Sequence, residues 1–163
     1  MIDNVMQPDI LPIDNKLRLR RFDDRFDFAL TWYQDEETNY MVDGRRSKYD
    51  MDQLSRMYHY LEKKGEVYFI EILDNGSFRP IGDVTFRQED MPIVIGEPKF
   101  RGKRIGKQVI SALIARGRLL GYSWLQVSEI YSWNTSSRRC FESLGFREYR
   151  KTEKGASYRL ELK

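Results

Sequence analysis

The spacing of apolar and polar positions along the chain predicts an ordered series of strands and helices. After an irregular lead-in over residues 1–15, which contains Pro8 and Pro12, Lys16-Leu17-Arg18-Leu19-Arg20 alternates polar and apolar as a half-buried strand does. Asp23 or Asp24 is placed to cap a helix reaching about Gln34, with Phe26, Ala29, Leu30 and Tyr33 at helical spacing, and Asp50 to cap a second through about Lys63 on Leu54, Met57, Tyr58 and Leu61. The stretch between these helices, with Asp43-Gly44, reads as a loop. Glu66 to Leu73 is apolar on both faces, as a central strand should be, and Asp74-Asn75-Gly76 is a hairpin signal leading into a strand over Ser77 to Arg87. Pro80 lacks a donor and Gly82 a side chain, so a bulge is expected near the middle of that strand.

A short buried strand, Ile93-Val94-Ile95, ends at Gly96-Glu97-Pro98, and the period then changes to helical. Ile105, Val109, Ile110, Leu113, Ile114 and Leu120 recur at three- and four-residue intervals, with Gly121 placed to stop the helix. Ser123 to Ile130 returns to strand. Asn134 or Thr135 caps a short helix with Cys140, Phe141 and Leu144 inward and Gly145 at its end, and strands follow over 146–152 and 157–162. This order describes one α/β domain over residues 16–163, a mixed sheet with helices on both faces.

Composition narrows the class. The 163 residues suffice for one core, and 40% hydrophobic with 33% charged residues is a folded, well-solvated balance. No apolar run approaches the ~18–20 residues of a membrane span, and Met1 to Met6 lacks the basic and apolar regions of a signal peptide, so a cytoplasmic location is expected. Cys140 is the single cysteine, which excludes an internal disulfide and multi-cysteine metal sites; no metal is expected. A net charge of +3 is too mild to argue for nucleic acid, and no aromatic interleaving supports it.

The positive charge concentrates in Arg101-Gly102-Lys103-Arg104-Ile105-Gly106-Lys107, between a buried strand and an amphipathic helix. A strand-loop-helix of this kind leaves backbone N–H groups pointing one way with the positive end of a helix dipole behind them. Its chemistry is that of an anion cradle, although it matches neither the nucleoside-triphosphate loop nor the dinucleotide fingerprint. The alternative is a solvated basic helix start.

Arg101 and Gly106 match the ends of the Gln/Arg-x-x-Gly-x-Gly/Ala loop, and Asn134, Ser137, Phe141 and Leu144-Gly145-Phe146 match a downstream helix motif, in the order and spacing found in one family. On these residues the chain resembles the GNAT superfamily of acetyl-CoA-dependent N-acetyltransferases. The resemblance implies about seven mostly antiparallel strands with a parallel splay between the fourth and fifth. It implies acetyl-CoA as acetyl donor, a primary amine of a small molecule or a polypeptide N-terminus as acceptor, and direct attack in a ternary complex. A homodimer is a family-level expectation; a coenzyme-binding module without turnover is the alternative.

By the same resemblance Val94, Ile95 and Gly96 would bond the pantetheine arm, the loop from Arg101 to Lys107 would hold the pyrophosphate, and Asn134 would approach from the far side of the splay, with Phe141 at the position of a frequent tyrosine acid. Arg104 takes the place of the middle glycine, so it must keep a negative φ or bear strain. Glu129, with Glu97 in reserve, is the candidate base, and Tyr131 a candidate acid in place of Phe141; strand-end acids can equally be merely solvated. Trp32 and Tyr33 are either core or part of an acceptor wall, and Cys140 is expected in the core.

Overall fold

The structure, a computed structural model, describes residues 5–162. Two antiparallel sheets carry eight strands. The first has the order β1 (Ile10–Pro12), β2 (Leu17–Arg21), β3 (Glu66–Asp74), β4 (Ser77–Phe86) and β5 (Ile93–Ile95). The second has the order β6 (Trp124–Tyr131), β8 (Gly155–Glu161) and β7 (Arg147–Lys151). Four α-helices join them: α1 (Glu36–Asp43), α2 (Met51–Lys64), α3 (Ile105–Leu119) and α4 (Thr135–Ser143).

Three sequence expectations change. Ile10–Pro12, expected to be irregular, adds an edge strand against Arg18–Arg20, so the strand expected as fourth is β5 and the fifth is β6; residues 1–4 of the lead-in lie outside the described residues. The first expected helix is a 3-10 helix over Asp27–Gln34 that neither Asp23 nor Asp24 caps. And the expected loop after it contains α1, which starts on the Asp35 side chain, accepting from the Glu37 N–H, and ends on Gly44 at φ 77°.

Alternation along the central strands sends side chains to two cores. Tyr68 and Ile70 of β3 pack with Val109, Ile110 and Leu113 of α3 on one side; Val67 and Phe69 pack with Leu54 and Tyr58 of α2 and with Trp32 and Tyr33 on the other. Helix α2 begins with a reciprocal capping box between Asp50 and Gln53. The hairpin turn holds Asn75 at φ 52° and Gly76 at φ 82°, the pair of left-handed residues that a tight two-residue turn requires.

The β4 bulge falls where Pro80 and Gly82 predict it. Ile70 pairs with Gly82 and Glu71 with Pro80, leaving Ile81 as the extra residue. Its carbonyl accepts the N–H groups of Gly96 at 2.8 Å and Glu97 at 3.1 Å, which fixes the chain as it leaves β5.

No ladder joins β5 to β6. The sheets are tied instead just upstream of β5, where the Gln126 N–H donates to the Gln88 carbonyl at 2.8 Å and the Ser128 N–H to Asp90 Oδ1 at 2.9 Å. Beyond those bonds the edges of β5 and β6 face each other unpaired.

Candidate active site at the ends of β5 and β6

Four elements meet at this unpaired edge: the end of β5, the start of α3, the end of β6, and α1. Val94 turns its carbonyl toward Gly82 of β4, so by strand alternation the N–H and C=O of Ile95 face away from β4, toward the gap. Gly96 follows with the indole of Trp32 filling the place a Cβ would occupy. Trp32 and Tyr33 are both buried, and Tyr33 donates its hydroxyl to the buried Asp83 at 2.7 Å. Core packing therefore describes both, and Trp32 reaches the site only as the backing of Gly96.

At α3, Arg104 stands at the N-cap with φ 65° and offers no side-chain cap. The position expected to keep a negative φ or bear strain thus adopts the left-handed conformation, at a cost of about 1–2 kcal/mol. The first helical bond closes from the Gln108 N–H to the Arg104 carbonyl at 3.2 Å, which leaves the amides of Ile105, Gly106 and Lys107 open at the positive end of the helix dipole. Ile105 is buried and anchors this turn, whereas a Cβ on Gly106 would meet no atom within 4 Å. Lys103, Arg104 and Lys107 border a groove of about 740 Å³ between α3 and β1.

The Arg101 side chain points away from this cradle. Its Nε donates to the Ile95 carbonyl at 2.8 Å and its Nη2 to Thr38 Oγ1 at 3.0 Å and the Gly96 carbonyl at 3.3 Å. A guanidinium so engaged holds the end of β5 to α1, because the carbonyls there have lost the partners a continuing sheet would supply.

Across the gap, Asn134 caps α4 by accepting from the Ser137 N–H at 3.2 Å and donates through Nδ2 to the Met41 carbonyl at 3.4 Å. Trp133 is sandwiched between Tyr40 of α1, at 4.8 Å between ring centroids, and Tyr131 of β6, at 4.7 Å. Arg46 caps the column, its guanidinium carbon 3.9 Å from the Tyr40 ring centre. Glycine at 44 is favoured by its φ of 77°, which side chains rarely adopt, while a Cβ there would make only ordinary contact with Tyr131 at 3.4 Å. Helix α1 thus bridges the gap, bound to β5 through Thr38 and Arg101 and to the segment after β6 through Tyr40 and Met41.

The titratable groups divide into two sets. Glu129 lies in a bulge of β6, where Val127 pairs with Tyr158 and Ile130 with Ala156, and it accepts from the Thr152 hydroxyl. Burial raises the Tyr131 phenol above its ordinary pKa, the carboxylates of Glu129 and Asp43 raise it further, and Arg45 offsets part of that. Tyr131, Glu129, Asp43 and Arg45 therefore share one electrostatic environment, with Tyr131 held as a neutral O–H. Glu97 stands apart, bound to Arg79 at 3.1 Å beside Asp74. Phe141 is buried edge-on against Phe146 at 5.1 Å and offers no group to a ligand. Cys140 is half-buried, and burial raises its thiol pKa while Lys107 opposes the rise; that is the signature of a packed thiol rather than an activated nucleophile.

Helix α1, and with it Asp43, Tyr40 and the stacked column, escaped sequence reading. The signal was present: Asp35, two glutamates in the next turn and Gly44 nine residues after Asp35 are start and stop signals. The apolar spacing that would have supported them is weak.

The family model for the acetyltransferase (GNAT) domain matches residues 16–147. The chain belongs to the GNAT acetyltransferase family. Solved structures repeat the GNAT fold. A domain from Methanocaldococcus jannaschii superposes with a TM-score of 0.79 at 21% identity, over 91% of this chain and 99% of that one. A GNAT-family acetyltransferase from Bacillus anthracis gives 0.75 at 14% identity, over 94% and 98%. A putative acetyltransferase from Salmonella typhimurium, solved with its cofactor acetyl-CoA, gives 0.68 at 20% identity, over 91% and 95%. No curated protein matches the sequence. No helix among the described residues is long and apolar enough to cross a membrane.

Proposed function

We propose that this GNAT domain transfers the acetyl group of acetyl-CoA to a primary amine by direct attack. The observation that carries the reading is the juxtaposition of the open amides of Ile105, Gly106 and Lys107 with the unpaired edge of β5 at Ile95. The first is an anion site, suited to a pyrophosphate. The second offers the Ile95 N–H to an extended amide chain, as an added strand would use it, and the Ile95 carbonyl, already bonded to Arg101, keeps one lone pair beside it. Acetyl-CoA presents both groups, and its thioester supplies the activated acetyl. Lys103, Arg104 and Lys107 add charge beside the pyrophosphate; Gly96, backed by Trp32, and Asn134 shape the walls of the gap.

The chain's own part in the chemistry is to bring in a neutral amine and manage its proton. An alkyl ammonium of pKa near 10.4 costs roughly 4–5 kcal/mol to deprotonate at pH 7, so a base placed at the gap contributes directly. Glu129 is that base, acting on the amine or a bridging water. Tyr131 is held protonated and can donate to the departing sulfur, although a thiol of pKa about 8.5 needs little help. Glu97 is committed to Arg79 and takes no part.

Thiol release from acetyl-CoA across a panel of amines is the test. Initial rates should give intersecting double-reciprocal lines, and Glu129→Gln should lower kcat/KM about 10²-fold at pH 7 with recovery as pH rises. Coenzyme binding with no release on any amine would reject the proposal in favour of a non-catalytic acyl-CoA module.

A further inference from the structure

A second groove, of about 460 Å³, runs between the segment after α1 and the outer face of α2. Asp43, Arg45, Ser47 and Tyr49 line one side; Arg56 and Tyr60 stand on the other. One end of it lies beside the end of β6, because Gly44, between Asp43 and Arg45, sits against Tyr131 and Trp133, and both Asp43 and Arg45 act electrostatically on the Tyr131 phenol.

The charges along this groove are unevenly spent. Asp43 already accepts the Tyr49 hydroxyl at 3.0 Å and the Arg45 N–H at 3.1 Å. Arg46 is committed to Glu37 and to the Tyr40 ring and does not line the groove. Arg45 and Arg56 are ion-paired with no carboxylate among the described residues. Two unpaired guanidiniums in one cleft walled by tyrosine rings concentrate positive potential, and the planar fork of each matches a carboxylate. Opposite in sign, Asp43 and Glu129 cluster at the Tyr131 end.

From this polarity we infer that the acceptor is acidic: a primary amine joined through a few bonds to a carboxylate, with the amine toward Tyr131 and the carboxylate on Arg45 and Arg56. The inference rests on the acetyl-transfer reading above and deepens it. A polypeptide N-terminus with an acidic second residue and a free acidic amino acid share this chemistry. A cationic polyamine does not, because it would set like charge against both arginines.

The test uses the amidated tripeptides Ser-Glu-Ala and Ser-Gln-Ala, free glutamate and spermidine as acceptors. It also uses the two N-acetylated tripeptides as ligands in calorimetry with the CoA-loaded protein, a readout that needs no turnover. We expect the glutamate tripeptide to exceed its glutamine twin at least tenfold, both in kcat/KM and in affinity of the acetylated form. Arg56→Gln and Arg45→Gln should each shrink that ratio at least threefold, while Arg118→Gln, which removes the same charge from the exposed end of α3, leaves it intact. The rank of free glutamate against the peptide identifies the source of the carboxylate. Equal use and binding of the twins, failure of both acetylated peptides to bind, a ratio unmoved by Arg45→Gln and Arg56→Gln, or preference for spermidine would each overturn the inference. Thiol release on neutral amines without acidic preference would overturn it and leave acetyl transfer standing. Selective binding of the acidic peptide with no thiol release on any amine would uphold the acidic groove and reject acetyl transfer.

Discussion

Tyr131 and Trp133 stack with their ring centroids 4.7 Å apart and their planes within 6°, and Tyr40 continues the stack on the far face of Trp133. One indole therefore joins the end of β6 to α1. Each such pair contributes about 0.5–1.5 kcal/mol beyond its burial, so Trp133→Ala should lower stability by roughly 2 kcal/mol in chemical denaturation. Amide exchange over residues 36–43 should also accelerate more than exchange in α3, because the anchor of α1 on the β6 side is lost. Uniform acceleration across the chain would mean that the column does not serve α1 in particular.

The loop assignment meets a clean test at Gly106. Because a Cβ there meets nothing within 4 Å, Gly106→Val should leave the thermal midpoint close to the parent's, and any change in coenzyme affinity then reports obstruction of the ligand. Affinity for acetyl-CoA should fall by about tenfold or more, ~1.4 kcal/mol. Affinity within twofold of the parent would remove the start of α3 from the coenzyme site.

Arg104, at φ 65°, predicts a gain in stability. Glycine occupies that conformation without the Cβ penalty, though it adds freedom to the unfolded chain, so Arg104→Gly should gain roughly 0.5–1 kcal/mol. Denaturation midpoints with and without acetyl-CoA would check it. A loss of stability in the free protein would show that the side chain, not the backbone, matters there.

Asp83 is buried between the hydroxyls of Tyr33 and Tyr58, each 2.7 Å from Oδ2. Burial raises its pKa to about 6, against the two hydroxyls, which lower it. The folded chain therefore holds the proton more tightly than the unfolded one, whose carboxyl titrates near 3.9. Stability attached to the protonated carboxyl is complete below about pH 4 and is lost as pH rises through about 6, by roughly 3 kcal/mol in total. Asp83→Asn does not titrate. Its stability relative to the parent should improve by that order between pH 4 and pH 7.5, and a pH-independent difference would show that Asp83 has an ordinary pKa.

Local signals gave a large part of this molecule. Asp50 with Gln53, Asn75-Gly76, the Pro80 and Gly82 pair, Gly121 and Gly145 each act on the few residues around them, so their effects are written where they stand in the chain. The apolar spacing of α3 and the glycines before it placed the start of that helix, with its open amides, for the same reason. Residues 10–12 and 36–43 depart from the local pattern because a three-residue edge strand exists only by pairing with β2, and α1 is held by contacts to Arg101 and Trp133, which lie 63 and 93 residues away from Thr38 and Tyr40.

Side-chain commitment was decided by tertiary structure alone. Glu97 and Glu129 look alike as acids near strand ends, yet Arg79 claims the first while the bulge of β6 sets the second beside Tyr131. Arg101 looks like a phosphate ligand and instead secures the end of β5. The sequence by itself determined which backbone segments could form the cradle and the sheets, since periodicity, caps and turns are short-range properties. Which side chains remain free to meet a ligand depends on partners brought together from distant parts of the chain, and that only the folded structure decided.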